Sequence, residues 1–187
     1  MLIRKIEKKD DARVAFIIRE CLTEYGCAGM MDTAWGDPYL DHFSEVYVND
    51  NNCYWVAEND EGIVVAGVGI GPLDVKEACG CSETSDRISC SCGENHAEES
   101  YEVDESRMCE LQKMYCLPEY RGSGIAQKLL DEALSFAKER YSSCYLETRN
   151  NMDRAKRFYE KNGFNYTEKT FGNTGHCGCN YHYILIF

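Results

Sequence analysis

The chain has 187 residues, 44% apolar and 28% charged, which is long enough for one domain with its own core and too apolar for wholesale disorder. Twenty Lys and Arg stand against 32 Asp and Glu, a net charge of −12, and this argues against DNA or RNA as a partner because a nucleic-acid groove needs clustered cations. The longest nearly unbroken apolar run, Ile63 to Gly71, is far short of the roughly 20 residues of a membrane span, and the N-terminal stretch lacks the apolar core of an export signal, so a cytoplasmic protein with no membrane partner is expected.

Leu2 to Ile6 reads as a short first strand. A helix follows to about Glu24, with Asp10 as its cap, because Val14, Ile17, Ile18, Cys21 and Leu22 recur at helical spacing. A weaker pattern over 35–48 (Leu40, Phe43, Val46, Tyr47) predicts a second helix. Cys53 to Glu58 and Ile63 to Ile70 are β-branched runs on either side of Asn59-Asp60-Glu61-Gly62, which predicts a β-hairpin. Leu73 to Arg107 then holds ten acids, three bases and four cysteines, with almost no large aliphatic residue. It reads as a solvated acidic insertion at about 73–107, between two strands.

Cys109 to Leu117 predicts a strand that ends at Pro118. Ile125, Ala126, Leu129, Leu130, Ala133, Leu134 and Ala137 trace one face of a helix reaching about Arg140. Ser143 to Thr148 is a short strand. Asn150 or Asn151 caps a helix carrying Met152, Ala155, Phe158 and Tyr159, closed by Gly163. Phe164 to Phe171 and Tyr181 to Phe187 predict two final strands. The order βααβββαβαββ makes the chain an α/β or α+β single domain over 1–187.

Twelve cysteines are about 6% of the chain, below the roughly 8–10% of a small disulfide scaffold. Free thiols are the expectation, with Cys21, Cys53, Cys116 and Cys144 acting as small hydrophobes. Cys79 and Cys81, Cys90 and Cys92, and nearby His96 could hold a soft metal, yet Cys-x-Cys is a poor match to a zinc knuckle, so no metal is expected. Gly175-His176-Cys177-Gly178-Cys179 reads as a turn before the last strand, with His176 a candidate for the acceptor end of a cleft.

The strongest chemical signal is strand, Arg121-Gly122-Ser123-Gly124-Ile125-Ala126, helix. Glycines at such a turn allow close backbone approach, and the helix start offers unpaired N–H groups at a positive dipole end. A pyrophosphate suits the turn; a ligand-free strand–helix turn is the alternative. It is not a P-loop, since no Gly-Lys-Ser/Thr follows, and Gln127 stands where a dinucleotide fingerprint needs its third glycine. Period-two alternation places Glu110, Gln112, Met114 and Cys116 on one face of their strand, and Tyr145, Glu147 and Arg149 on one face of theirs.

The segment Tyr115 to Ala126, the strand with Leu146-Glu147-Thr148 and the run Ala155-x-x-Phe158-Tyr159-x-x-x-Gly163-Phe164 together resemble the GNAT superfamily of acetyl-CoA-dependent N-acyltransferases. The resemblance implies a mixed, mostly antiparallel central sheet flanked by helices and splayed between the strands at 109–117 and 143–148. Acetyl-CoA would lie in the splay, against the backbone of Met114, Tyr115 and Cys116. The N–H groups of Arg121, Gly122, Ser123, Gly124, Ile125, Ala126 and Gln127 would cradle its pyrophosphate. It also implies acetyl transfer to a primary amine by direct attack, with Tyr159 as proton donor to the departing thiolate and Glu110, Glu147 or a water relay as base. Met152 stands where many relatives carry a cofactor-binding Asn, which leaves Asn151 as the substitute. The acceptor would be a small-molecule or peptide amine, and dimers are common in the family, so a homodimer is open. A GNAT-like acyl-CoA-binding or regulatory module without turnover, and a metal-binding protein built on the Cys pairs, are the alternatives.

Overall fold

A computed structural model describes residues 1–73, 103–172 and 179–187. Seven strands form one sheet: β1 (Leu2–Lys5), β2 (Cys53–Glu58), β3 (Val64–Pro72), β4 (Met108–Cys116), β5 (Ser143–Thr148), β6 (Asn165–Thr167) and β7 (Tyr181–Ile186). Their spatial order is β1-β2-β3-β4-β5-β7-β6. Every neighbouring pair is antiparallel except β4 and β5, which are parallel. The mixed, mostly antiparallel sheet expected from the sequence is therefore present.

Helices cover both faces. On one, α1 (Asp11–Glu24) presses Val14, Ile17, Ile18, Cys21 and Leu22 onto Tyr54 and Val56 of β2, together with the single turn α2 (Phe43–Val46). On the other, α3 (Ile125–Lys138) buries Ile125, Leu129, Leu130, Ala133 and Ala137 against Trp55, Val68, Ile70 and Leu146. Tyr159 and Phe164 join that second core around α4 (Asp153–Lys161). Alternating residues of β2 thus feed opposite cores, as a sheet covered on both sides requires.

Local chemistry explains most boundaries. Asn59 closes the β2–β3 hairpin by accepting N–H bonds from Glu61 and Ile63 at 3.0 and 2.9 Å, while Gly62 takes φ +75°. Helix α4 ends in a Schellman arrangement: Phe164 N–H bonds Tyr159 O at 3.1 Å, Gly163 N–H bonds Glu160 O at 3.1 Å, and Gly163 sits at φ +86°.

Several expectations need correction. The helix over 35–48 is reduced to α2 and a 3₁₀ turn at Ala34–Gly36, because Pro38 holds Asp37 in extended geometry (φ −61°, ψ 125°) and interrupts the run. Asp10 stands at the cap position of α1 as expected but makes no side-chain cap; its carboxylate binds the Arg4 guanidinium at 2.6 and 2.9 Å and the Glu7 N–H at 2.8 Å. Met152, not Asn150 or Asn151, precedes α4 as its cap residue and gives no side-chain cap. The strand over 164–171 shrinks to β6. Leu73 and Val103 pack with Met108, Tyr145, Phe171 and Ile184 in a small third core, so the ends of the acidic stretch belong to the fold. Cys79, Cys81, Cys90, Cys92, His96, His176 and Cys177 lie outside the described residues.

The alternation expected along β4 also fails. Gly67 opposes Tyr115 and Gly69 opposes Gln112, so β4 spends three steps where β3 spends two. The extra residue makes a bulge, with Lys113 at φ +50°. Gln112 bonds Tyr47 on the α1–α2 face, whereas Met114 and Cys116 pack into the α3 core. Gly67 and Gly69 make room on that α1–α2 face: a Cβ on Gly67 would stand 2.6 Å from the Tyr54 ring, and one on Gly69 would stand 2.7 Å from Tyr47 Oη. Tyr54 is buried and donates to Lys113 O at 3.1 Å, so it cannot step aside. Gly67→Ala is expected to lower unfolding free energy by about 1–3 kcal/mol, read as a lower denaturation midpoint in urea.

Candidate active site

The parallel ladder between β4 and β5 lasts three pairs: Met108 with Ser143, Cys109 with Cys144, and Glu110 with Tyr145. Beyond Glu110 the strands part, and no described strand pairs with the β5-facing edge of residues 111–116. A cavity of about 510 Å³ fills the gap. Its walls are β4 from Glu110 to Cys116, the β5 end at Glu147, Thr148 and Arg149, the C-terminal half of α1, the starts of α3 and α4, and Cys179.

Most of the expected site residues meet there. Glu110, Met114, Tyr115, Cys116, Arg121, Gly122, Ala126, Glu147 and Tyr159 all line the cavity. Five others do not. Ile125 is buried in the core behind, Ser123 Oγ closes the turn onto Tyr120 O at 2.6 Å, and Gly124 is the residue from which α3 starts. The Gln127 amide reaches Asp131 and Asn162, and Asn151 donates to Tyr25 O at 3.3 Å. Their backbones hold the turn in place, but Asn151 is not aimed at the cavity.

The turn itself suits an anion. Gly122 and Gly124 take φ +80° and +85°, and nothing lies within 4 Å of a Cβ built on either. Gly124 has no side chain to cap α3, whose first internal bond is Lys128 N–H to Gly124 O at 3.2 Å. The amides of Ile125, Ala126 and Gln127 therefore have no acceptor inside the helix. Arg121 fixes the approach to the turn: it binds Glu24 at 2.8 and 2.6 Å and Cys116 O at 2.9 Å.

Three titratable groups set the chemistry. Tyr159 is 8% exposed and braced by Phe158, Phe164 and Tyr183; burial pushes its phenol up, so it stays protonated near neutrality. Burial also pushes the Glu110 carboxyl up to about 7. The Lys113 ammonium and the Gln112 hydrogen bond oppose that rise, and Glu147 and Asp37 add to it. Glu110 ends a relay in which Tyr47 Oη donates to Gln112 at 2.8 Å and the Gln112 amide donates to Glu110 at 2.7 Å. Glu147 accepts from Tyr145 Oη at 2.9 Å. Burial pushes the Cys116 and Cys179 thiols up to about 11.

Alternation placed Gln112 on the Glu110 face, where the structure has it, but gave no site role to Gln112, Tyr47 or Lys113, since the bulge at Lys113 leaves no mark in the residue pattern. Lys113 is paired with Asp37 at 2.8 Å.

Comparison with known proteins bears on the family and the fold. The model of the acetyltransferase (GNAT) family matches residues 17–164. The uncharacterized N-acetyltransferase YjgM of Escherichia coli (strain K12) is 35% identical over 179 residues, 95% of this chain and 90% of that protein. A GNAT-family acetyltransferase from Staphylococcus aureus Mu50 superposes with a TM-score of 0.73 over 99% of this chain and 98% of its own, at 20% identity. The PaiA N-acetyltransferase of Thermoplasma acidophilum, solved in complex with coenzyme A, gives 0.62 over 100% and 98%, at 16% identity. These last two likenesses are of fold.

The Glu110 shift carries a testable consequence. Its folded value near 7 lies above the ordinary 4.5, so its contribution to stability is complete below pH 4.5 and is lost as pH rises to 7. Relative to wild type, Glu110→Gln should therefore gain stability between pH 4.5 and 7, with no further gain above, as read by denaturation midpoints across that range.

Proposed function

Because the chain belongs to the GNAT acetyltransferase family and is an acyltransferase by that membership, we propose that it moves an acetyl group from acetyl-CoA to a primary amine by direct attack. The observation that carries this reading is the meeting, in one cavity, of an unpaired β4 edge, a glycine turn at a helix start, a protonated tyrosine and a carboxyl with a value near 7. We read residues 1–187 as one catalytic domain that carries the acidic insertion.

The fit to acetyl-CoA rests on shape and polarity. The open edge from Met114 to Cys116 offers backbone groups to the amide-bearing pantetheine arm, as an added strand would. The turn from Arg121 to Gln127 offers amides and dipole to the pyrophosphate, with Gly122 and Gly124 leaving room. The thioester then lies between Tyr159 on the α3–α4 side and Glu110 on the α1–α2 side. Glu110 takes a proton from the incoming ammonium, directly or through water. The freed nitrogen attacks the carbonyl carbon, the carbon–sulfur bond breaks, Tyr159 donates its phenolic proton to the sulfur, and the nitrogen passes its surplus proton back to the tyrosinate through water, which leaves the neutral amide and restores the phenol. Glu110 is favoured over Glu147 as base because its value near 7 matches the task.

A module that binds acyl-CoA without turnover would need neither group. Tyr159→Phe should lower kcat about 100-fold while coenzyme A still raises Tm as in wild type. Gly124→Asp should abolish that coenzyme A shift, because a carboxylate at the turn crowds and repels the pyrophosphate; Gly124→Ala controls for the strain at φ +85°. The acidic limb of kcat/KM, with a midpoint near pH 7, should vanish in Glu110→Gln. Unchanged thiol release in Tyr159→Phe would remove the tyrosine from the mechanism.

A further inference from the structure

Arg149 follows the last residue of β5 and lines the cavity. Its Nη1 is buried and has no hydrogen-bond partner among the described residues. Other cationic groups on the wall are accounted for. Arg121 is held by Glu24 and Lys113 by Asp37, while Arg154 and Arg157 are exposed on α4. A guanidinium N–H taken from water and left without an acceptor is a costly arrangement, and one normally met where a ligand completes it.

β4 and β5 are last paired at Glu110 and Tyr145, so the Lys113 bulge and Arg149 both belong to the parted segments that line the cavity. By alternation Arg149 shares the face of Tyr145 and Glu147. Cys179, Glu147, Lys113 and Glu110 line the same cavity as Arg149. The glycine turn offers its own backbone amides to the pyrophosphate, which leaves Arg149 for another group of the ligands.

We infer that Arg149 receives a carboxylate on the acceptor, so that the amine acetylated is one that carries an acid group, as an amino acid does. This rests on the acetyltransferase reading above and narrows its substrate class. A guanidinium matches a carboxylate through two parallel N–H bonds, whereas the second ammonium of a polyamine would meet Arg149 as a like charge. The overall charge of −12 favours cations in bulk, but on the cavity wall Arg149 Nη1 is left without an acceptor among the described residues, while Lys113 and Arg121 are held by Asp37 and Glu24.

The test compares amino acids with their decarboxylated counterparts: glycine with methylamine, phenylalanine with phenethylamine, lysine with 1,5-diaminopentane. Thiol release from acetyl-CoA is measured for each. Wild type should favour at least one acid-bearing member over its partner by about tenfold or more in kcat/KM. Arg149→Met should raise KM for the amino acid until the ratio falls below about threefold, and Arg149→Lys should fall between. Equal or better use of the decarboxylated amines, or a preference that survives Arg149→Met, overturns the inference while leaving acetyl transfer intact.

A second readout needs no turnover. With coenzyme A bound, the favoured amino acid should raise Tm in wild type more than its decarboxylated partner does, and this difference should vanish in Arg149→Met. If no amine releases thiol yet this binding difference is found, the acetyltransferase reading fails and the Arg149 site stands. If neither turnover nor binding distinguishes the pairs, the inference fails. Apo Arg149→Met should melt no lower than wild type, since the replacement removes the buried Nη1 that has no hydrogen-bond partner among the described residues; should it not fold, the wild-type panel and Arg149→Lys decide.

Discussion

The site depends on the early parting of β4 and β5. Two parallel strands that continued side by side would satisfy each other's N–H and C=O groups along their length. Here that pairing stops after three residues, and the facing edges are left to a cavity between two hydrophobic cores. The separation is kept open by what surrounds it. On β5, full antiparallel pairing with β7 from Ser143 to Thr148 holds the strand from the other side. On β4, pairing with β3 does the same. Each strand is anchored on its outer edge, and beyond Glu110 and Tyr145 no described strand pairs with the inner edges.

The bulge at Lys113 gives the opened edge its two chemical sides. One extra residue re-aims the strand, so that Glu110 and Gln112 face α1 and α2 while Met114 and Cys116 face α3. A lysine at φ +50° is a strained choice, and its neighbours hold it: Asp37 pairs with its ammonium and Tyr54 donates to its carbonyl. The bare backbone of Gly67 and Gly69 on the opposing strand lets Tyr54 and Tyr47 lie flat across the sheet. Tyr47 thereby reaches Gln112, and through it Glu110. The position of an acid–base candidate is in this way tied to two glycines on a strand that never touches the cavity.

How much of this was legible in the sequence varies by element. Helices α1 and α3 were readable because their apolar stripes face a single sheet and repeat without interruption. The glycine turn and the Ala155–Gly163 run carried the family resemblance, since close approach and a left-handed helix stop each demand particular residues. The stretch from Asp37 to Tyr47 misled because its apolar residues pack irregularly beside Pro38. The β4 bulge was invisible because a register shift belongs to two strands at once, and Gln112 and Lys113 are ordinary residues. Arg149 could be placed on a face with Glu147, yet only the structure reveals that its Nη1 has no described partner.

The thiols of the cavity bear on the order of chemical events. Cys116 and Cys179 line the space in which a thioester would react, and exchange between a thioester and a thiol is close to thermoneutral. Such exchange needs the thiolate, and a group with a value of about 11 is ionised to only about one part in ten thousand at pH 7. The burial that makes these side chains serve as small hydrophobes therefore also keeps them from capturing the acyl group. An acyl-enzyme held on either sulfur is thereby disfavoured, in keeping with the direct attack by an amine proposed above.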